Sequence, residues 1–174
     1  MSPSLVDAYR HFFEMVRFDF VVDEDLNIYI MEANMSPNLS SNHFAPNKQL
    51  YEQVIFNLLS VAGLSQSQHI KNWVDRSDRH WNLMVNQRDL AVYPDICSSD
   101  DCLLSCNQDK CKVCVYCHSK EFSTILKDAV VEHKSRWSTK RILPSSKGVG
   151  GSELDALQQI WFDGKCLQDV SWCA

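Results

Sequence analysis

No run of about 18 consecutive apolar residues occurs in this chain of 174 residues, so no segment reads as a membrane-spanning helix. Glycine is scarce. There are five, and three of them sit in Gly148-Val149-Gly150-Gly151. Loops that cradle phosphate place glycines between a strand and a helix. No such loop precedes Tyr9, and the 148–151 stretch follows no strand pattern. The first ten residues lack a basic start followed by an apolar core, so no signal peptide is legible there. Internal repeats are lacking too. What the chain does have is globular composition: 45% hydrophobic and 22% charged residues rule out a disordered tail. The length suits one domain of ordinary size.

The net charge of −5 is unevenly spread. Residues 1–50 hold seven Asp/Glu against three Lys/Arg, whereas residues 110–147 carry nine Lys/Arg, well in excess of their acids. The first segment suits cations and the second suits an acidic partner. Two solvated faces of opposite sign explain the pattern equally well. Nucleic acid is not among the expected partners.

Residues 12–22, rich in Phe and Val, predict a strand, and residues 28–33 a second one. Asp23-Glu24-Asp25-Leu26-Asn27 between them has turn composition, so the two strands form an antiparallel hairpin. Asn47 is the expected N-cap of a helix running to Ala62, with Leu50, Tyr51, Val54, Ile55, Leu58 and Leu59 on an apolar face and Gly63 as its stop. A less regular helix is expected over 67–85, an irregular cross-linked loop over 97–118 and a helix over 122–137. A linker over 144–151 and a short helix over 153–162 complete the pattern.

Chemistry concentrates in the hairpin, in FFEMVRFDF (12–20) and YIMEANMSPNL (29–39). Side chains alternate along a strand, so Glu32 and Asn34 project from one face. With a loop over 24–27, Val22 faces Tyr29 and Asp19 falls opposite Glu32. Two carboxylates directly across a ladder repel unless a cation intervenes. Oxygen-only donors suit a hard cation, magnesium above all when phosphate oxygens and water complete its shell. An acidic hairpin simply facing water is the plainer alternative, and the apolar neighbours on both strands count against it.

These two blocks resemble the tubulin tyrosine ligase-like family of the ATP-grasp ligases. The family pattern is roughly Phe-Glu-Leu-x-Gly-x-Asp, a turn, a strand and Glu-x-Asn-x-Ser-Pro. The resemblance covers residues 9–64, including the helix KQLYEQVIFNLLSVAGL. It implies that Asp19, Glu32 and Asn34 hold Mg2+ on the phosphates of ATP. It also implies ligation through an acyl phosphate that an amino acid's amine displaces, with glutamate the amino acid favoured and a tubulin tail or another acidic protein tail as acceptor. Arg17 stands where the family usually has Gly. It either pairs with Glu14 or Asp19, the favoured outcome, or reaches a phosphate or substrate carboxylate.

Six cysteines fall within 21 residues: Cys97, Cys102, Cys106, Cys111, Cys114 and Cys117, with His118 adjacent and Cys166 and Cys173 near the end. Cys111-x2-Cys114-x2-Cys117-His118 has spacing for Zn2+. An even total of eight fits disulfides in an oxidising compartment. Triplets Asn34-Met35-Ser36 and Asn38-Leu39-Ser40 match the N-glycosylation pattern, which arises often by chance. Count favours disulfides slightly.

The expected architecture is α/β (α+β). Residues 1–64 form the C-terminal part of an ATP-grasp domain, an antiparallel hairpin plus a packing helix, and residues 65–174 form a mostly helical, cysteine-rich appendage. The expected function is the metal-binding portion of an ATP-dependent glutamate ligase, inactive as an isolated fragment and with none of the named residues a nucleophile or general base. It works in the cytoplasm on the cytoskeleton, or in the secretory lumen if the cysteines are paired. The rival is a non-catalytic module whose basic 110–147 segment holds an acidic partner.

Overall fold

The computed structural model describes residues 13–42, 44–64, 85–142 and 152–173. The chain divides into two units, Met1–Ser65 and Gln66–Ala174. The helix expected over 67–85 and the linker over 144–151 lie essentially outside the described residues.

In the first unit, β1 (Arg17–Val22) and β2 (Ile28–Asn34) form a two-stranded antiparallel sheet. β1 starts five residues later than expected, because pairing begins only where Arg17 meets Asn34. Asp23 organises the loop between them. Its Oδ1 accepts the backbone N–H of Asp25 at 3.0 Å and of Asn27 at 2.8 Å, and its Oδ2 accepts the Asn27 amide and the Tyr29 hydroxyl. These bonds, the Asn27 side chain foremost, hold the Asp23 carboxyl below its usual range. Leu26 takes a left-handed conformation with φ of 65° to close the turn.

α1 (Asn47–Val61) forms where its apolar spacing places it. Its N-cap is Pro46, not Asn47, which donates instead to the Tyr51 hydroxyl at 3.2 Å. Gly63, with φ of 78°, is the stop, since only glycine enters that region without strain. The N–H groups of Gly63 and Leu64 return to the carbonyls of Ser60 and Leu59, a complete Schellman cap. The expected apolar face of α1 is not buried within this unit: Leu50 is 58% and Ile55 41% exposed, while Asn57 and Ser60 are covered. The hairpin and helix described in this unit offer too little surface to cover both faces.

The second unit contains α2 (Gln87–Leu90), α3 (Pro94–Cys97), α4 (Asp100–Leu104), α5 (Asp109–Lys112), a 3-10 turn (Val115–Cys117), α6 (Lys120–Ser135), α7 (Glu153–Gln168) and a second 3-10 turn (Val170–Trp172). The 97–118 stretch, expected to be irregular, is a run of short helical turns. α6 begins at Lys120 because the Ser119 hydroxyl caps the Phe122 N–H. α7 runs six residues past its expected end. A capping box of Ser152 and Asp155 opens it, and burial of Trp161, Phe162 and Lys165 carries it on.

The core gathers Leu90, Val92, Val113, Phe122, Leu126, Trp161 and Trp172. The Trp161 indole N–H satisfies the Leu90 carbonyl at 2.8 Å, so the largest buried ring leaves no orphan polar group. Gly164 is required at its helical position. A Cβ there would come within 2.8 Å of both Val92 Cβ and Tyr93 Cε2. Gly164→Ala should destabilise the unit by about 1–3 kcal/mol despite alanine's helix propensity, read from the denaturant midpoint.

His133 stacks on Trp172 with ring centroids 3.6 Å apart. Burial first, and then the charge of Arg136, lower its pKa from 6.5 to about 4, with Asp169 opposing. The unfolded chain therefore takes up this proton near pH 6.5 and the folded one only near 4, so stability is lost as pH falls through that window. Asp89, Asp155 and Asp169, held below 3.8, contribute only at lower pH. The melting temperature should drop from pH 7 to pH 5, and His133→Phe, which keeps a stacking ring, should reduce that drop.

Candidate metal centre

β1 and β2 bring the predicted carboxylates together. Asp19 lies directly opposite Glu32, and Arg17 opposite Asn34. The register reaches this arrangement by a different route from the one expected. The loop spans five residues and Val22 pairs with Ile28, not Tyr29. Continued without interruption, that phase would set Asp19 against Met31. A shift between Asp19 and Phe20 leaves Met31 without a partner in the ladder and returns Glu32 to the face of Asp19. Such a bulge re-aims one side chain at the cost of one ladder position.

Arg17 bridges the pair. Its Nε and Nη2 donate to the two oxygens of Asp19 at 2.9 and 3.0 Å, and Nη2 lies 3.8 Å from Glu32 Oε1. The Arg17 hydrogen bond holds the Asp19 carboxyl below the usual range, and Asp19 in turn raises the guanidinium. Asn34 donates from Nδ2 to Glu32 Oε1 at 2.9 Å, which keeps its carbonyl oxygen available as a donor to a cation. All four side chains converge on one patch of the hairpin.

The donor set fits magnesium in kind: two carboxylates and an amide oxygen, with no nitrogen or sulfur donor. Among the described residues no group of three or more His, Cys, Asp or Glu forms a metal site. A cation here would therefore take the rest of its shell from phosphate oxygens and water. The hairpin already uses a cation, the guanidinium, to compensate its paired acids. Arg17→Gly should let the Asp19 pKa rise toward its ordinary value, seen by NMR titration, and should strengthen divalent-ion binding at the hairpin several-fold.

The cysteine cluster is not a metal centre. All eight cysteines are joined, Cys97–Cys114, Cys102–Cys111, Cys106–Cys117 and Cys166–Cys173. The zinc alternative is thereby corrected, since sulfurs bonded to each other are not thiolate ligands. His118 sets Nε2 against the Val113 carbonyl at 2.9 Å and its ring edge-on to Phe122.

Sequence reasoning missed the Asp23 loop anchor, although an Asp opening a turn is a recognised signal. It also missed the Met31 bulge, for which no residue type gives a signal.

Residues 1–71 match the model of the tubulin-tyrosine ligase family. Over 176 aligned residues the chain is 37% identical to a "Probable tubulin polyglutamylase ttll-15" of Caenorhabditis elegans, an alignment covering 99% of this chain and 34% of that protein. The chain thus spans about a third of its relative's length. No solved structure matches it. The hairpin and α1 lie inside the segment of this chain that matches the tubulin-tyrosine ligase family.

Proposed function

We propose that this sequence is the metal-holding part of an ATP-dependent amino-acid ligase, with residues 1–64 closing its catalytic domain and residues 65–174 forming an appendage. The observation that carries the proposal is the Asp19–Glu32 pair with Asn34 beside it, inside the segment that matches the family model. Asp19, Glu32 and Asn34 would hold Mg2+, which when bound neutralises charge on the phosphates of ATP. These three residues position and take no proton. The reaction phosphorylates an acceptor carboxylate to an acyl phosphate, and the amine of an incoming amino acid then displaces phosphate.

The relative's name supports glutamate as the amino acid and tubulin as the acceptor. A tubulin acceptor goes with the cytoplasm and the microtubule cytoskeleton. The acceptor is read from another protein's name, whereas the paired cysteines belong to this chain, so they weigh more on the compartment. An acidic tail remains the acceptor class in either place. The phosphate-contacting lysines, adenine pocket and glycine-rich flap of such a ligase have no counterpart in this sequence, and the proposal assigns them to sequence outside it.

The rival reading, a module binding acidic partners through residues 110–147, has less support. Lys112 pairs with Asp109 and Glu153, Lys134 with Asp89, and Arg136 and Arg141 bond the carbonyls of Ser171 and Trp172. Those charges are engaged within the fold. The test is ATP-dependent incorporation of labelled glutamate into acidic acceptors, tubulin included. The full-length protein should incorporate label and the 174-residue chain alone should not. Incorporation by neither sinks the ligase reading, and incorporation by the short chain sinks the assignment of nucleotide binding elsewhere.

A further inference from the structure

The two glycosylation-like triplets are alike in sequence and unlike in structure. Asn34 lies in β2, half-buried, opposite Arg17, with its amide donated to Glu32 Oε1. An oligosaccharyl transferase works on an extended, accessible acceptor, and this amide is neither free nor clear of the sheet. Asn38 is exposed and sits in irregular backbone after Pro37. Its Oδ1 accepts the backbone N–H of Ser40 at 2.8 Å, so the side chain and the hydroxyl residue two positions on already form an Asx turn. Among the described residues the Asn38 Nδ2 has no hydrogen-bond partner, and it is this nitrogen that must react. The Ser40 hydroxyl, also exposed, accepts from the Asn42 N–H at 3.3 Å and stays within the same turn.

A second, independent observation bears on whether the chain meets such a transferase. Three disulfides interlock within residues 97–117, and Cys102, Cys111 and Cys114 form a small buried cluster of their own. With the Cys166–Cys173 bridge no cysteine is free. A sulfur core in place of an aliphatic one belongs to proteins that fold in oxidising compartments, where N-linked glycans are also attached.

We propose that Asn38 is an N-glycosylation site and that the chain folds in the secretory lumen. The co-substrate is a lipid-linked oligosaccharide diphosphate. Asn38 Nδ2 attacks the anomeric carbon of its first sugar, and a C–N bond forms as the C–O bond to the diphosphate breaks. The lipid diphosphate leaves with the electron pair, and the nitrogen gives up one proton to a base of the transferase. Asn34 keeps its amide for the hairpin. The inference does not depend on the ligase reading, and its readouts are mass and thiol state, not activity.

The experiment uses the full-length protein carrying this sequence, isolated from the cells that make it under thiol-blocking conditions. Treatment with an amide-cleaving glycosidase should lower its mass and convert Asn38 to Asp, with Asn34 unchanged. Ser40→Ala should abolish the shift and Ser40→Thr should keep it, and neither alters the asparagine itself. The cysteines should resist alkylation until a reductant is added. Absence of a shift in the unaltered protein, a glycan found on Asn34 instead, or ready alkylation without reductant overturns the proposal.

Discussion

Replacing Asp19 by Ala together with Glu32 by Gln in the full-length protein should, on the proposed metal role, abolish amino-acid transfer, lowering kcat/KM at least about a hundred- to a thousandfold. The size follows from what the two carboxylates do. Each is a hard oxygen donor on the same face of the hairpin, and with both carboxylates gone only neutral amide oxygens remain, that of Asn34 and that introduced by Glu32→Gln. A cation held by neutral amide oxygens with no carboxylate cannot keep the phosphates of ATP in place, and phosphoryl transfer depends on positioning and charge neutralisation. The change should leave the fold intact. Asp19 and Glu32 are 38% and 59% exposed at the side chain, and the ladder that pairs them is made by backbone. Steady-state kinetics with ATP and labelled glutamate measures the effect, and circular dichroism on the same samples controls for folding. Turnover within a few-fold of the unaltered protein would remove the metal role from these residues.

Removing the Cys97–Cys114 bridge by Ala substitution at both positions should cost the second unit about 3 kcal/mol. That bridge closes a loop of 17 residues, against 7 for Cys166–Cys173, whose loss should cost about 2 kcal/mol on the same chain-entropy argument. Cys114 is also 1% exposed and packs with Cys102 and Cys111, so the first change opens a cavity that the second does not. A domain stable by some 5–15 kcal/mol does not survive loss of all four bridges unchanged. Denaturant unfolding of the two variants, with and without reductant, gives both values. Equal midpoints for the two variants would show that the cluster is not what holds residues 97–117 together.

The carboxylate pair was legible in sequence because strand parity and the two motif blocks point to the same residues. Parity alone would have failed. The loop is one residue longer than assumed, and Met31 absorbs the difference, which a pattern of alternating side chains cannot reveal. Helix existence was legible from apolar spacing, and helix ends were legible where a cap carries a signal. Gly63 does so. Ser119 and Ser152 do so as well: Ser119 starts α6 at Lys120, two residues before the expected 122, and Ser152 opens α7 at the expected Glu153. Pro46 took the place of Asn47 because its fixed φ of −58° already suits the helix entry. The cysteine count pointed to bridges, but six clustered cysteines allow fifteen pairings, and only the fold selects one. The buried core of the second unit depends on contacts such as Trp161 with Leu90, 71 positions apart, which no local pattern encodes.

On the proposed function, the β1–β2 hairpin holds the metal on ATP. Mn2+ is the direct probe, since it takes the same oxygen donors as Mg2+ and broadens NMR signals of nearby nuclei. In the full-length protein with ATP, Mn2+ should broaden the resonances of Asp19, Glu32 and Asn34, and should not do so in the Asp19→Ala, Glu32→Gln variant. Unbroadened hairpin signals under conditions where the ion is bound elsewhere on the protein would contradict it.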